Sequence, residues 1–301
     1  MMNLLKLLLI LIPFQLWAQP MSINNKGIDA SGSKGVLRSN IVNQPDPRER
    51  IVLICDGQSN SVGRVSVKTN LPEHYKNIQN QIYIWNPRLP ATAPCFEKME
   101  VGINTCGAED PPNMNWGSEQ SLAHDIIDSL GYNKLLYVIK NSLGAQAISY
   151  WEKPTGSRWV SLDTAIKRAN RYFADSIVPK YIVCWIQGES DCASDGRLAY
   201  KYEYCLMNLI DNVRGQDPNL KEVPYFTWKI FYPMSMVDSL EYVVNQGFDA
   251  VSVRRSNVFT LDPNSIGGFS CGNDPTHYND TSLLKIGHKM FSKINSEGYL
   301  E

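Results

Sequence analysis

The chain has 301 residues, 43% of them hydrophobic and 20% charged, with a formal net charge of -1. That is the composition of a globular protein with a sizeable core, and it excludes a disordered or fibrous chain. The near-neutral balance also excludes an overall basic field that would draw the protein to nucleic acid or anionic lipid.

The first segment departs from this average. Lys6 precedes the apolar run Leu7 to Ile12, and Leu16, Trp17 and the small residue Ala18 follow Pro13. One basic residue, a short apolar run and a small residue near its end predict a secretory signal peptide over residues 1–19. The run is too short to span a bilayer comfortably, so no stable membrane insertion is expected after cleavage. A secreted or periplasmic protein is the expectation. Residues 20–48 hold many Asn, Ser, Gly and Pro without periodicity and read as a flexible lead-in. The remainder, 49–301, reads as one domain, with no internal repeat or linker to divide it.

Within that domain, continuous apolar runs predict strands buried on both faces, as in a parallel sheet. They are Ile51 to Cys55, Leu135 to Ile139, Tyr181 to Ile186 and Tyr225 to Ile230, with Ala250 to Val253 a weaker candidate. Helical stripes lie between them. Leu122, Ala123, Ile126, Ile127 and Leu130 form one, closed by Gly131, and Leu162, Ala165, Ile166, Ala169, Tyr172 and Phe173 form another. Residues 197–213 and 280–295 are further helix candidates. Strands alternating with helices predict an α/β fold, a three-layer α/β/α sandwich around a mainly parallel sheet. The stretch from Val62 to Asn115 shows little pattern and reads as an elaborated loop region.

All seven cysteines fall after residue 19, and an exported protein can oxidise them. Seven is odd, so at least one has no partner within the chain. Cys55 and Cys184 sit inside strand-like runs and read as buried thiols, whereas Cys95 and Cys106 flank a Pro-, Gly- and Asn-containing loop and are the expected pair. No CxxC pair and no HExxH occurs, so no metal site is expected.

Open α/β sheets bind ligands at the carboxyl ends of their strands. After the first strand comes Asp56-Gly57-Gln58-Ser59-Asn60-Ser61. Gly57 permits a tight turn that exposes Ser59 near backbone N–H groups able to receive an oxyanion; a serine there also reads as a helix cap. Of the four histidines, His74, His124 and His288 read as structural or solvated. His277, in Asn273-Asp274-Pro275-Thr276-His277, has a carboxylate three residues before it. That spacing suits an Asp274–His277 pair with Nε2 facing a nucleophile, and it equally suits a turn cap and a helix cap. After the third strand, Trp185-Ile186-Gln187-Gly188-Glu189-Ser190-Asp191 offers the Gln187 amide as a donor. After the second, Asn141-Ser142-Leu143-Gly144 offers the Gly144 N–H.

Taken together, Gly57-Gln58-Ser59-Asn60, Trp185-Ile186-Gln187-Gly188-Glu189-Ser190-Asp191 and Asp274-Pro275-Thr276-His277 resemble the SGNH/GDSL hydrolase superfamily. They are most similar to its sialate O-acetylesterase-like branch, which includes the carbohydrate esterase family 6 acetylxylan esterases. Gly144-Ala145-Gln146-Ala147-Ile148 with Trp151, and Trp116-Gly117-Ser118-Glu119, resemble further blocks of that branch. The resemblance implies a flavodoxin-like sandwich and cofactor- and metal-independent removal of acetyl groups from sugars. It implies Ser59 as nucleophile, His277 as base, Asp274 as its acid and Glu189 as the alternative acid. It implies an oxyanion hole from the Ser59 and Gly144 N–H groups and the Gln187 side chain. The chain departs from the pattern at Ile186, where the branch often has His, and at Ser61, where Met is common. It also lacks the second glycine of the G-x-S-x-G elbow, so it is not an ordinary α/β-hydrolase.

The expected substrate is an acetylated carbohydrate. Trp116 and Trp151 are candidate sugar-stacking residues, as are Trp85 and Trp159, although aromatics near strands and helices are more often core. Two other readings compete: a non-catalytic glycan-binding module of the same fold, and a lipase or thioesterase of the same superfamily.

Overall fold

The computed structural model describes residues 47–86, 95–106, 115–174, 177–193, 196–231 and 239–301. The signal peptide and nearly all of the lead-in read from the sequence lie outside these residues.

The strands are β1 (Glu49–Gly57), β2 (Ile82–Trp85), β3 (Glu97–Lys98), β4 (Lys134–Lys140), β5 (Lys180–Ile186), β6 (Tyr225–Trp228) and β7 (Val258–Leu261). They form one sheet in the order β3-β2-β4-β1-β5-β6-β7. Every pairing is parallel except that of β2 with β3. The helices are α1 (Ser59–Val62), α2 (Glu73–Lys76), α3 (Glu119–Leu130), α4 (Ser157–Tyr172), α5 (Glu189–Ala193), α6 (Arg197–Arg214), α7 (Leu240–Arg254) and α8 (Asp280–Ser296).

β1 explains why its sequence is continuously apolar. Val52 and Ile54 join a core with Leu162 of α4, Leu206 of α6 and Val244 of α7. Ile51, Leu53 and Cys55 join the opposite core with Leu122 and Ile126 of α3 and Leu283 of α8. Alternate side chains serve opposite faces, so neither face tolerates polarity. The result is the expected three-layer sandwich. Among the described residues no helix is long and apolar enough to cross a membrane.

Three expectations are corrected. Ala250 to Val253 belongs to α7, because Val244, Phe248 and Val251 are buried at helical spacing; the strand comes later, at β7. The stretch from Val62 to Asn115 is not only loop. It contributes β2, whose Ile82, Ile84 and Trp85 are buried beside β4. Cys95 and Cys106 are not paired, and all seven cysteines are free thiols. Cys95 packs on the α4 side of the sheet, whereas the Cys106 thiol faces the carbonyls of Gly102 and Asn115, at 3.0 and 3.5 Å.

β4 and β2 lie on one side of β1, and β5 to β7 on the other. The chain therefore reverses its direction of travel at β1, leaving a crevice at that strand's carboxyl end. A buried ion pair closes the sheet beneath the crevice. Lys140, the last residue of β4, donates from Nζ to Glu119 Oε1 at 2.6 Å, to Thr105 O at 2.5 Å and to Val62 O at 3.1 Å. All three ammonium hydrogens have acceptors, so the charge is satisfied although both residues are only 1% exposed. Removing one partner strands the other charge. Lys140→Met is expected to lower the unfolding free energy by about 3–5 kcal/mol in urea titrations. Adding Glu119→Gln should restore much of the loss.

Candidate active site

β1 ends at Gly57, where φ is 138°. A Cβ there would lie 1.9 Å from Ile186 O, so only glycine lets β1 run this close to β5 before turning. Gln58 N then donates to Ile186 O at 3.0 Å. The polar residues around the turn are occupied one after another. Asp56 Oδ1 accepts from Gly57 N at 2.8 Å, and its Oδ2 accepts from Asn141 Nδ2 and Trp151 Nε1, both at 2.9 Å. Gln58 Oε1 accepts from Ser190 N at 3.0 Å and Gly188 N at 3.3 Å. Ser61 Oγ and Ser142 Oγ are hydrogen-bonded at 2.7 Å, with either hydroxyl able to donate.

Asn60 ties three elements together. Its Nδ2 donates to Glu189 Oε1 at 2.6 Å and to Thr276 O at 3.1 Å, while its Oδ1 accepts from Tyr278 N at 2.9 Å. Ser59 is the exception in this run. It is the first residue of α1 and not its cap. The residue is only 3% exposed, yet its hydroxyl has no hydrogen-bond partner among the described residues.

The loop before α8 delivers His277. Asp274 Oδ2 meets His277 Nδ1 at 2.6 Å, and Asp274 Oδ1 accepts from Thr276 N at 2.7 Å. The Thr276 N–H, and after it His277, hold the Asp274 carboxyl below the usual carboxylate range. With Nδ1 facing a carboxylate, Nε2 is the nitrogen left for other work.

A cavity of about 440 Å³ is lined by Ser59, His277, Gln58, Arg64 and Glu189, among others. Ser59 and His277 therefore face one space, although no hydrogen bond joins them; such contacts commonly tighten only when substrate arrives. Gly144 comes to the same place: a Cβ there would sit 3.7 Å from Ser59 Cβ. Among the described residues the backbone N–H groups of Ser59 and Gly144 donate to no acceptor.

The other expected site residues lie differently. Gln187, expected to donate to an oxyanion, turns its Nε2 toward Asp191 Oδ2, Gln146 O and Gln58 Oε1, at 2.5, 3.1 and 3.2 Å. Three internal acceptors hold its amide inward. Glu189 lines the cavity, with Oε1 on Asn60 and on Tyr278 OH at 3.2 Å, but it makes no hydrogen bond to His277. Burial raises its carboxyl above the ordinary range, and its Oε2 is buried without a partner. Trp116 is fully buried, its indole N–H donating to Val67 O at 3.3 Å. Trp151 is 1% exposed, its N–H on Asp56. Trp85 and Trp159 are core as well. None of the four presents a free face to the Ser59 cavity. The remaining histidines gather elsewhere: His74 pairs with Asp128 and His288 with Asp125, both at 2.6 Å. His124 lies beside His74, and burial pushes its pKa down to about 4.

Sequence reasoning missed Asp56, Asn60 and Arg64. Asn60 stood inside the Gly57-Gln58-Ser59-Asn60 run, but its partners lie 129 to 218 residues away in sequence, so no local signal announced them. Among the described residues no group of three His, Cys, Asp or Glu side chains is placed to hold a metal ion.

Known proteins give this geometry a context. Among solved structures, a protein from Arabidopsis thaliana superposes with a TM-score of 0.67 at 18% identity, covering 84% of this chain and 99% of its own. NanS superposes at 0.65 with 13% identity, covering 85% and 99%. A carbohydrate acetylesterase from Xanthomonas citri superposes at 0.54 with 15% identity, covering 83% and 57%. At these identities the likeness establishes the fold alone. No curated protein matches the sequence. Residues 49–296, nearly all of the folded region, match the SASA family, described as carbohydrate esterase, sialic acid-specific acetylesterase. The chain belongs to this family of carbohydrate esterases.

Proposed function

We propose that this carbohydrate esterase removes acetyl groups from sugars by acyl transfer through Ser59. One observation carries the reading: Ser59 holds the uncommitted hydroxyl at the end of the central strand, and it shares a cavity with a histidine whose other nitrogen is held by a carboxylate. In this reading Ser59 Oγ attacks the ester carbonyl while His277 Nε2 takes its proton. Asp274 fixes the imidazole tautomer and stabilises the imidazolium. The Ser59 and Gly144 N–H groups receive the oxyanion, each worth about 3 kcal/mol in the transition state. His277 then protonates the departing sugar hydroxyl, and water hydrolyses the acetyl-enzyme by the same route.

Gln187 plays a supporting part. Its amide braces the loop after β5 against Asp191, Gln146 and Gln58. The acid role goes to Asp274 and not Glu189, because only Asp274 hydrogen-bonds His277. The substrate is an acetylated carbohydrate. The exported compartment is proposed on the N-terminal segment, whose charge and apolar pattern suit a signal peptide.

Ser59→Ala is expected to cut acetate release from acetylated sugars, and turnover of a small aryl acetate, by about 10⁴-fold or more. Its urea midpoint should match the wild type. Near-normal turnover would overturn the assignment and leave a glycan-binding module with an idle serine.

Asp274→Asn should reduce kcat by about 10⁴-fold through the wrong imidazole tautomer. Should Glu189→Gln prove the more damaging of the two, the acid role passes to Glu189.

Asn60→Ala tests alignment. Losing its three bonds frees the His277 loop from the Ser59 helix, and kcat on the aryl acetate should fall by about 100-fold while the protein remains folded. An unchanged kcat would show that the loop is held by other contacts.

A further inference from the structure

A second cavity, of about 320 Å³, opens between α6 and the turn that follows Trp151. Its volume lies at the lower end of the range for small-ligand sites. Its lining shares no residue with the Ser59 cavity. Trp151 and Leu209 lie beneath it, both almost wholly buried, and its polar wall is Glu152, Lys153, Asn208 and Asn212. Asn208 and Asn212 stand one turn apart on α6. They are half-buried, and their side-chain amides have no hydrogen-bond partner among the described residues. Tyr204 borders the same opening at 65% exposure, and Tyr200, one turn earlier on the same face, is 73% exposed.

The chemistry of this wall is selective. One acid and one base leave no net charge, so the cavity does not suit an anion. Two amides, a carboxylate and an ammonium supply both donors and acceptors, so it does not suit a purely apolar ligand. An exposed tyrosine ring beside them offers a flat apolar face with a polar tip. Hydroxyls around a ring with one apolar face match all three features.

We propose that this cavity is a second carbohydrate site that takes a neutral sugar ring of the substrate chain, a proposal that rests on the carbohydrate esterase reading above. It holds a polymer to the enzyme without taking part in the chemistry at Ser59. Glucans, xylans and mannans share that ring chemistry, and the test distinguishes them.

The test uses the full chain carrying Ser59→Ala, so that binding is read without turnover. It is titrated by calorimetry with deacetylated xylohexaose, mannohexaose and cellohexaose. At least one should bind, and Tyr204→Ala and the pair Asn208→Ala with Asn212→Ala should each weaken it by about tenfold or more. In the active enzyme the same substitutions should raise KM for the acetylated polymer by about tenfold. Turnover of a small aryl acetate should stay unchanged. Tyr204 is exposed, so its loss leaves the fold intact. The proposal is overturned if none of the three oligosaccharides binds, or if binding is indifferent to these substitutions. Because the titration needs no catalysis, its failure is distinct from a failure of the esterase reading, which the acetate-release comparison decides.

Discussion

The site depends on the side-chain amide of Asn60. Its nitrogen donates twice and its oxygen accepts once, and the three partners belong to the start of α5 and the loop before α8. Gln58 already binds the backbone of Gly188 and Ser190 after β5. Asn60 adds the link to the loop before α8, which its own local sequence would not by itself bring to the end of β1. The carbonyl of Thr276 and the N–H of Tyr278 flank His277 on both sides. The bonds to them therefore fix the backbone that carries the imidazole, and Asp274 sets only its rotation. Positioning the histidine and orienting it are thus separate tasks, performed by different residues.

Beneath this junction lies an unusually polar layer for a parallel sheet. Asp56, Asp191, Lys140 and Glu119 are all buried. Burial raises the Asp56 and Asp191 carboxyls to about 6, from an ordinary 3.8. A raised folded value means that each acid contributes most to stability below pH 3.8 and that this contribution is lost as the pH rises through about 6. At neutral pH each ionised carboxylate therefore weighs against folding by about 3 kcal/mol. What the molecule gains is direction. Ionised Asp56 accepts from Gly57, Asn141 and Trp151 together, and Asp191 accepts from Ile148 N and Gln187 Nε2. An apolar pair of the same volume would pack as well but would leave those donors unaimed.

Much of this was legible in the sequence, for physical reasons. β1, β4, β5 and β6 are buried on both faces, so they read as continuous apolar runs. Ser59, Asp274 and His277 fell at strand or loop ends where an α/β sheet places its chemistry. The misreadings have equally concrete causes. Val251 and Val253 suited a strand, but Val251 completes a helical stripe with Val244 and Phe248 that α6 covers. β2 has only four residues, too few for a pattern to stand out from the loop around it. Trp151 is a sugar-stacking candidate in the sequence because it is an aromatic residue beside the Gly144–Ile148 block. Its indole N–H needs an acceptor when buried, and the acceptor, Asp56, is 95 residues earlier. Glycine, proline and apolar rhythm are local signals; the pairing of buried polar groups is not.

Trp151 also shows how the two cavities are related. Its N–H holds Asp56, whose other oxygen receives the Gly57 N–H at the turn leading to Ser59. Its body floors the cavity bordered by Tyr204 and Asn208. The indole is buried at both ends, its N–H on Asp56 and its body beneath the cavity. The turn before Ser59 and the wall of the second cavity are therefore built on one rigid indole. A ring seated there would rest against the scaffold of the Ser59 turn and not against a mobile loop, as an anchor for a long substrate requires: it must hold the chain without disturbing the geometry at the ester.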